Sequence, residues 1–365
     1  MKRSLLARSA RLSLIAGLVP VALAAQNGSR SAIPNLAGKI QTVSGPVDPS
    51  ALGVTLMHEH IFIDFKAPPA MMPAPTGIHV LRDSQPAARG MGGGLTNYAE
   101  SLGEIAEFKK IGGGTIVDVT NFGLTRDPEA LLRASKESGL NVVMGAGWYQ
   151  KQLHPPDMTE RTLDELTDIV VRDITVGAQG TGIRSGIIGE IGVNGRPIVD
   201  NERKSVRAGA RAAKVTGAPM MLHSFATQDE MLEMLDIIQS EGVALSRVTM
   251  AHTGSNDMAY MKRLVDRGVF IEWDYMGQAP LPPAADAKRI ESIYAAIEAG
   301  YADHILLAHD VCTAPQLKTK GGGGYTYIST VILPGLRAKG VSDETIRKIM
   351  VDNPRRALTF VAPGA

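Results

Sequence analysis

The sequence predicts an α/β protein built as one (β/α)8 TIM barrel, and three observations carry that prediction. Eight short apolar runs rich in β-branched residues recur from about residue 53 onward, longer amphipathic segments separate them, and histidines and carboxylates gather at the ends of the runs. Apolar runs of that length read as buried parallel strands. Eight strand–helix units in about 310 residues match the barrel in count and size. An open doubly wound sheet is the competing layout, but no GxGxxG turn follows the first run to support a dinucleotide site.

The first 24 residues stand apart. Lys2, Arg3, Arg8 and Arg11 precede the apolar LSLIAGLVPVALAA, and Ala22-Leu23-Ala24 is a small-x-small cleavage site. This reads as a signal peptide over 1–24, so the mature chain is expected to be exported, periplasmic or secreted. The apolar run is short for a membrane span and is broken by Gly17 and Pro20. Without the leader's four basic residues, 34 basic face 37 acidic residues, a net charge of −3. That balance argues against nucleic acid or an anionic membrane as a partner. Cys312 is the single cysteine, so no internal disulfide forms, and the residue reads as a small buried filler.

Residues 25–50, rich in Ser, Pro and Gly, form an N-terminal arm, and the barrel domain takes 51–365. Its strands are expected at 53–64, 115–120, 141–148, 185–192, 219–224, 248–253, 269–274 and 304–310. Helical patterns such as DPEALLRASKESG and ERKSVRAGARAAKVTG lie between them and end in glycine, a common C-terminal stop. Two segments break the rhythm. Residues 66–95, rich in proline and glycine, and KTKGGGGYTYIS at 318–329 follow the first and last strands. Both are expected on the catalytic face as flexible loops that could act as lids.

Chemistry in this architecture belongs at the carboxyl ends of strands. There the first run ends in His58, Glu59 and His60; alternation along a strand places His58 and His60 on one face and Glu59 on the other. Glu190 in IIGEIG, His223 in MLHS, His252 in MAHT and Asp310 in LAHD occupy corresponding places on strands four, five, six and eight. Four histidines and two carboxylates thus converge on one rim. Neutral imidazole and carboxylate suit zinc, manganese, cobalt or iron, and six ligating groups exceed what a single open catalytic site needs. Two divalent metal ions per chain are the economical expectation, with zinc placed first. His309 should point into the helix layer, His79 and His154 lie in loops, and His304 sits at the base of strand eight, so none of these is expected to join the cluster.

From about residue 40 to 361 the chain resembles the phosphotriesterase family of the amidohydrolase superfamily, which includes organophosphate hydrolases and phosphotriesterase-like lactonases. The resemblance rests on GVTLMHEH, TIVDVTNFGLTRDP, GIIGEIG, ARAAKVTGAPMMLHS, SRVTMAHTG, LLAHD and the C-terminal run from GGGGYTYIS to NPRRAL. It implies that His58, His60 and Asp310 hold a more buried metal and His223 and His252 a more exposed one, with a hydroxide between. Many members bridge the metals through a carboxylated lysine; Glu190 stands in its place here, as in a glutamate-bridged subset. Asp310 is the candidate proton acceptor, and Tyr149 in GAGWY matches a tyrosine that lactonases place beside the metals. The Asp-Arg pair of lactonases is replaced by Asp274 and Tyr275 in EWDYMG.

The resulting expectation is an exported hydrolase that opens a lactone or other carboxylic ester, with phosphotriester hydrolysis as a side activity. A dedicated organophosphate triesterase is the alternative, and a non-catalytic metal-binding barrel is the alternative of another class. The resemblance also favours a homodimer.

Overall fold

The computed structural model of the chain describes residues 33–65, 94–224, 226–277 and 283–364. The expected signal peptide and His79 lie outside the described residues, as does most of the expected loop at 66–95. Among the described residues no helix is long and apolar enough to cross a membrane.

A small antiparallel hairpin, β1 (Ile40–Thr42) and β2 (Gly45–Val47), precedes the barrel. It ties to the barrel through Val43 N–H on the Val142 carbonyl and to the chain's end through Phe360 N–H on the Lys39 carbonyl, both at 2.9 Å. This hairpin therefore packs against the barrel, with Ile40 fully buried.

All eight expected strands form. They are β3 (Val54–Glu59), β4 (Gly113–Asp118), β5 (Asn141–Ala146), β6 (Ile187–Val193), β7 (Met220–Ser224), β8 (Val248–Met250), β9 (Phe270–Trp273) and β10 (Ile305–Leu307). Each lies parallel to the next in chain order. The ring closes where Asp310 N–H donates to the His58 carbonyl and His60 N–H to the Val311 carbonyl, both at 3.1 Å. Closure thus depends on the same residues that the sequence placed at the metal rim.

Two buried layers hold the barrel. Met57, Val117, Val143, Ile187, Met221, Phe270 and Leu306 fill an inner cluster. Alternate strand residues such as Leu56, Ile116, Val142 and Ile188 pack in the outer layer with the helices. The helices begin and end where local chemistry dictates. In α1 (Tyr98–Lys110) the Asn97 side chain accepts the Glu100 N–H, and in α2 (Pro128–Ser138) Asp127 accepts that of Ala130. The second helix stops at Gly139 with φ +69°, a left-handed turn that glycine adopts without Cβ strain. Gly217 closes α3 (Asp200–Thr216) in the same way.

Among the register shifts in the barrel, two lie beside the rim residues. Between Leu56 and Glu59, β3 advances three residues while β4 advances two; between Ile188 and Ile191, β6 does the same against β7. Such bulges re-aim side chains beside functional sites. Here they let Met57 stay in the inner cluster while His58 also faces the rim, and they turn Glu190 inward between Ile188 and Ile191 of the outer layer.

The segment at 318–329 is a docked element and differs from the flexible loop expected. The Tyr325 hydroxyl donates to the His60 carbonyl at 2.7 Å, and Ile328 N–H donates to His309 Nε2 at 3.0 Å. Lys318 and Thr319 N–H donate to the Glu104 carboxylate. The glycines serve close approach: a Cβ on Gly323 would meet the Tyr327 ring at 2.6 Å. A glycine run that reads as flexible along the chain is packed once its neighbours arrive.

Candidate metal centre

His58 and His60 project to one side at the end of β3, and Glu59 projects to the other, as expected. Glu59 accepts from His309 Nδ1 at 2.7 Å and from the main-chain N–H groups of His309 and Val311. Since His309 Nε2 accepts from Ile328, this pair is a satisfied buried contact outside the rim cluster.

The other residues converge. His58 Nε2 lies 3.2 Å from Glu190 Oε2 and 3.7 Å from Asp310 Oδ1, while His60 Nε2 lies 3.4 Å from both Glu190 Oε1 and Asp310 Oδ1. The same Oε2 lies 2.6 Å from His223 Nδ1, and His252 Nε2 stands 2.6 Å from His223 Nδ1. One carboxylate therefore faces two groups of nitrogen and oxygen donors. The six residues are all at least nine-tenths buried.

Neighbours fix which ring nitrogen faces the cluster. Glu272 takes His58 Nδ1 at 2.9 Å, Thr120 Oγ1 takes His60 Nδ1 at 2.9 Å, and Asp274 takes His252 Nδ1 at 2.8 Å. Asp118 in turn accepts the Thr120 and Ile61 N–H groups. These contacts leave the Nε2 lone pairs of His58, His60 and His252 directed at the cluster. The Tyr149 hydroxyl lies 2.8 Å from His223 Nε2, which leaves Nδ1 as the inward nitrogen there.

Backbone conformation contributes as well. His252, Tyr275 and Asp310 have φ of +59°, +55° and +54°. Left-handed geometry at a non-glycine residue costs about 1 kcal/mol or more, and it concentrates at functional sites. At the ends of three successive strands it turns these side chains over the barrel mouth.

The donors fit divalent metal. Among the described residues, buried His58 Nε2 and Glu190 Oε2 meet only other candidate ligand atoms (each other, Asp310 Oδ1 and His223 Nδ1), a crowding of donor atoms that a bound cation resolves. Three groups, His58-Glu190-His223-His252, His58-His60-Asp310 and His58-Glu272-Asp274, each bring their ligand atoms within 4.8 Å of one another; in the third, the carboxylates stand on the Nδ1 side of His58. Electrostatics agree. Burial opposes the charged form of His58, yet Glu190 and Glu272 outweigh it and raise its pKa well above the usual histidine value. Burial likewise opposes the Glu190 anion, but His223 and His58 hold its carboxyl well below the usual range. Glu272, pushed up to about 7 mainly by burial, is the strained member.

Glu272 was not foreseen from the sequence. The signal was present: Glu272 and Asp274 stand two apart in EWD, so both face inward from one strand while Trp273 faces out and donates to Ser292 Oγ at 3.1 Å. Tyr275 stacks on His252 with ring centroids 4.7 Å apart. His154 sits outside the cluster, its Nε2 on the Tyr149 carbonyl, and His304 binds the Val269 carbonyl at the barrel base. Cys312 is half-buried beside the rim, and burial together with Asp310 and Glu190 raises its thiol pKa.

Comparison with known proteins agrees with this geometry. A family model described as the phosphotriesterase family matches residues 38–358. A protein of Tetraodon nigroviridis named N-acetyltaurine hydrolase is 34% identical over 349 residues, covering 89% of this chain and 99% of its own. Among solved structures, a resiniferatoxin-binding protein from Rhodobacter sphaeroides superposes with a TM-score of 0.76 at 33% identity, covering 89% of this chain and 96% of its own. The lactonase Lmo2620 from Listeria monocytogenes gives 0.75 at 27%, with 88% and 99% covered. The chain is a metal-dependent hydrolase and belongs to the phosphotriesterase family.

Proposed function

We propose that the protein is an exported two-metal hydrolase that cleaves a lactone or other carboxylic ester, with phosphotriester hydrolysis as a side activity. The observation that carries the two-metal reading is the position of Glu190, whose Oε2 lies beside both His58 and His223 and whose Oε1 lies beside His60. His58, His60 and Asp310 would hold one ion, His223 and His252 the second, and Glu190 both. Zinc suits this nitrogen-rich donor set, as do manganese, cobalt and iron. Bound divalent ions would supply Lewis acidity and a water acidified to near neutral pH.

The chain's own groups do the rest. Asp310, at the rim with its main chain held by His58 and Gln316, accepts the proton released as water attacks the acyl carbon. If Tyr149 oxygen accepts the His223 Nε2 proton, its own hydroxyl proton is free to donate to the substrate oxygen that gathers charge. The Tyr275 ring lies over His252 and so borders the second ion position.

Relatives named as lactonase support the ester reading. A second reading, hydrolysis of an N-acyl amine, is favoured by relatives named N-acetyltaurine hydrolase that match along 99% of their length. The two share attack at an acyl carbon and differ in the leaving group, an amine having to be protonated before it departs. The test is metal content by elemental mass spectrometry beside a panel of aliphatic lactones, aryl esters, N-acyl amines and aryl dialkyl phosphates. Near two ions per chain with lactones or esters fastest is the expected result. Fastest turnover of N-acyl amines would replace the ester with the amide, and fastest turnover of phosphotriesters would make the chain a triesterase. We further propose a homodimer in solution, checked by sedimentation.

A further inference from the structure

Strand β9 and the residue that follows it supply no ligand in the proposed function, yet they present two carboxylates to the cluster. Asp274 meets His252 and Glu272 meets His58, so one strand reaches a histidine of each ion position. The strand is itself fixed. Thr253 Oγ1 accepts the Glu272 N–H at 2.7 Å and donates to the Glu272 carbonyl at 2.9 Å.

Two fully buried glutamates offer a comparison. Glu59 receives three N–H groups and is satisfied within the protein. Among the described residues, Glu272 meets a single ring nitrogen through Oε1, and its Oε2 has no hydrogen-bond partner. A buried carboxylate with so little neutral support is retained where a cation lies close by. His58 carries its Nδ1 toward Glu272 and its Nε2 toward Glu190 and Asp310, so it lies between Glu272 and the expected ion.

We infer that Glu272 is the positioning residue of the buried metal position: it holds the His58 Nδ1–H tautomer, aims Nε2 at the ion and strengthens His58 as a ligand through a carboxylate–histidine–metal relay. This rests on the reading of His58 as a ligand. General experience with such relays sets the expected size, a 10–100-fold loss of metal affinity when the outer carboxylate is removed.

The experiment compares wild type with Glu272→Gln, a near-isosteric neutral change, by chelator-competed titration with Zn2+ and by elemental analysis per chain. Wild type is expected to bind two ions, and the variant to bind one of them about 10–100-fold more weakly with the other unchanged. Asp274→Asn, which touches His252, should weaken the other ion instead. A wild type that binds fewer than two ions overturns the two-metal reading itself. A wild type with two ions and a Glu272→Gln variant of unchanged affinity overturns only the assignment of Glu272. Should the variant fail to fold, nitrogen-15 NMR of zinc-loaded wild type decides. A slowly exchanging, strongly downfield Nδ1 proton on His58 supports the relay, and a protonated Nε2 on that ring refutes it.

Discussion

The Tyr149 hydroxyl lies 2.8 Å from Nε2 of His223, on the side of the ring opposite the nitrogen that faces Glu190. The phenol therefore touches the candidate centre through a ligand's outer edge. Burial, followed by the carboxylates of Glu190 and Asp310, raises its pKa well above the ordinary tyrosine value, so it stays a neutral donor. Tyr149→Phe should keep both ions and lower kcat on the order of 10²-fold, the size found when one oxyanion donor is removed. Loss of an ion instead, read by elemental analysis, would show that the phenol serves the ligand and not the reaction.

Glu190→Ala removes the group that faces both ligand sets. Metal content should fall together with activity. Full occupancy of two ions in the variant would contradict a bridging role.

Asp310→Asn retains the side chain's shape and the main-chain bond to His58. The fold should survive while kcat drops about 10²–10⁴-fold, the range for a lost general base. Near-normal turnover would remove Asp310 as proton acceptor.

The metal-free protein should lose stability as pH rises above about 6.5. His58, His60 and His252 are all raised above their ordinary values, because neighbouring carboxylates outweigh burial. A raised histidine contributes stability that is complete below its unfolded pKa and is lost as pH climbs through the folded one. The raised carboxyl of Glu272 acts in the same direction up to about pH 7. His223, which is lowered, has already become neutral in this window. Zinc should abolish the decline, since the ligands it needs are the deprotonated forms. Melting curves from pH 6 to 9, with and without zinc, check both parts.

Away from the rim, Arg126 forms a buried pair with Asp173 at 2.8 Å and donates to the Gly145 carbonyl at 2.8 Å. Arg126→Ala should cost about 3–5 kcal/mol, because it removes one member of a buried ion pair. Chemical denaturation of the metal-loaded protein measures it.

How far the site was legible follows from what each signal requires. His58, His60, Glu190, His223, His252 and Asp310 could be read because strand ends recur at regular intervals and the residue types are uncommon there. Glu272 escaped because it lies one position inside its strand, where a carboxylate resembles a polar interruption. Its partner His58 is 214 residues away. The docking of 318–329 escaped for a related reason: glycine marks both flexible chain and close packing, and only the neighbours distinguish them.

The sequence by itself determined the eight strand–helix units, the helix stops at Gly139 and Gly217, and the identity of the residues that meet at the rim. These follow from periodicity and local backbone preference, which act over a few residues. Tertiary structure alone decided the bulges that bring His58 and Glu190 to bear, the left-handed turns at His252, Tyr275 and Asp310, and the carboxylates that choose each histidine's tautomer. Those features arise from strand pairing and from contacts between distant segments, so they exist only once the barrel has closed.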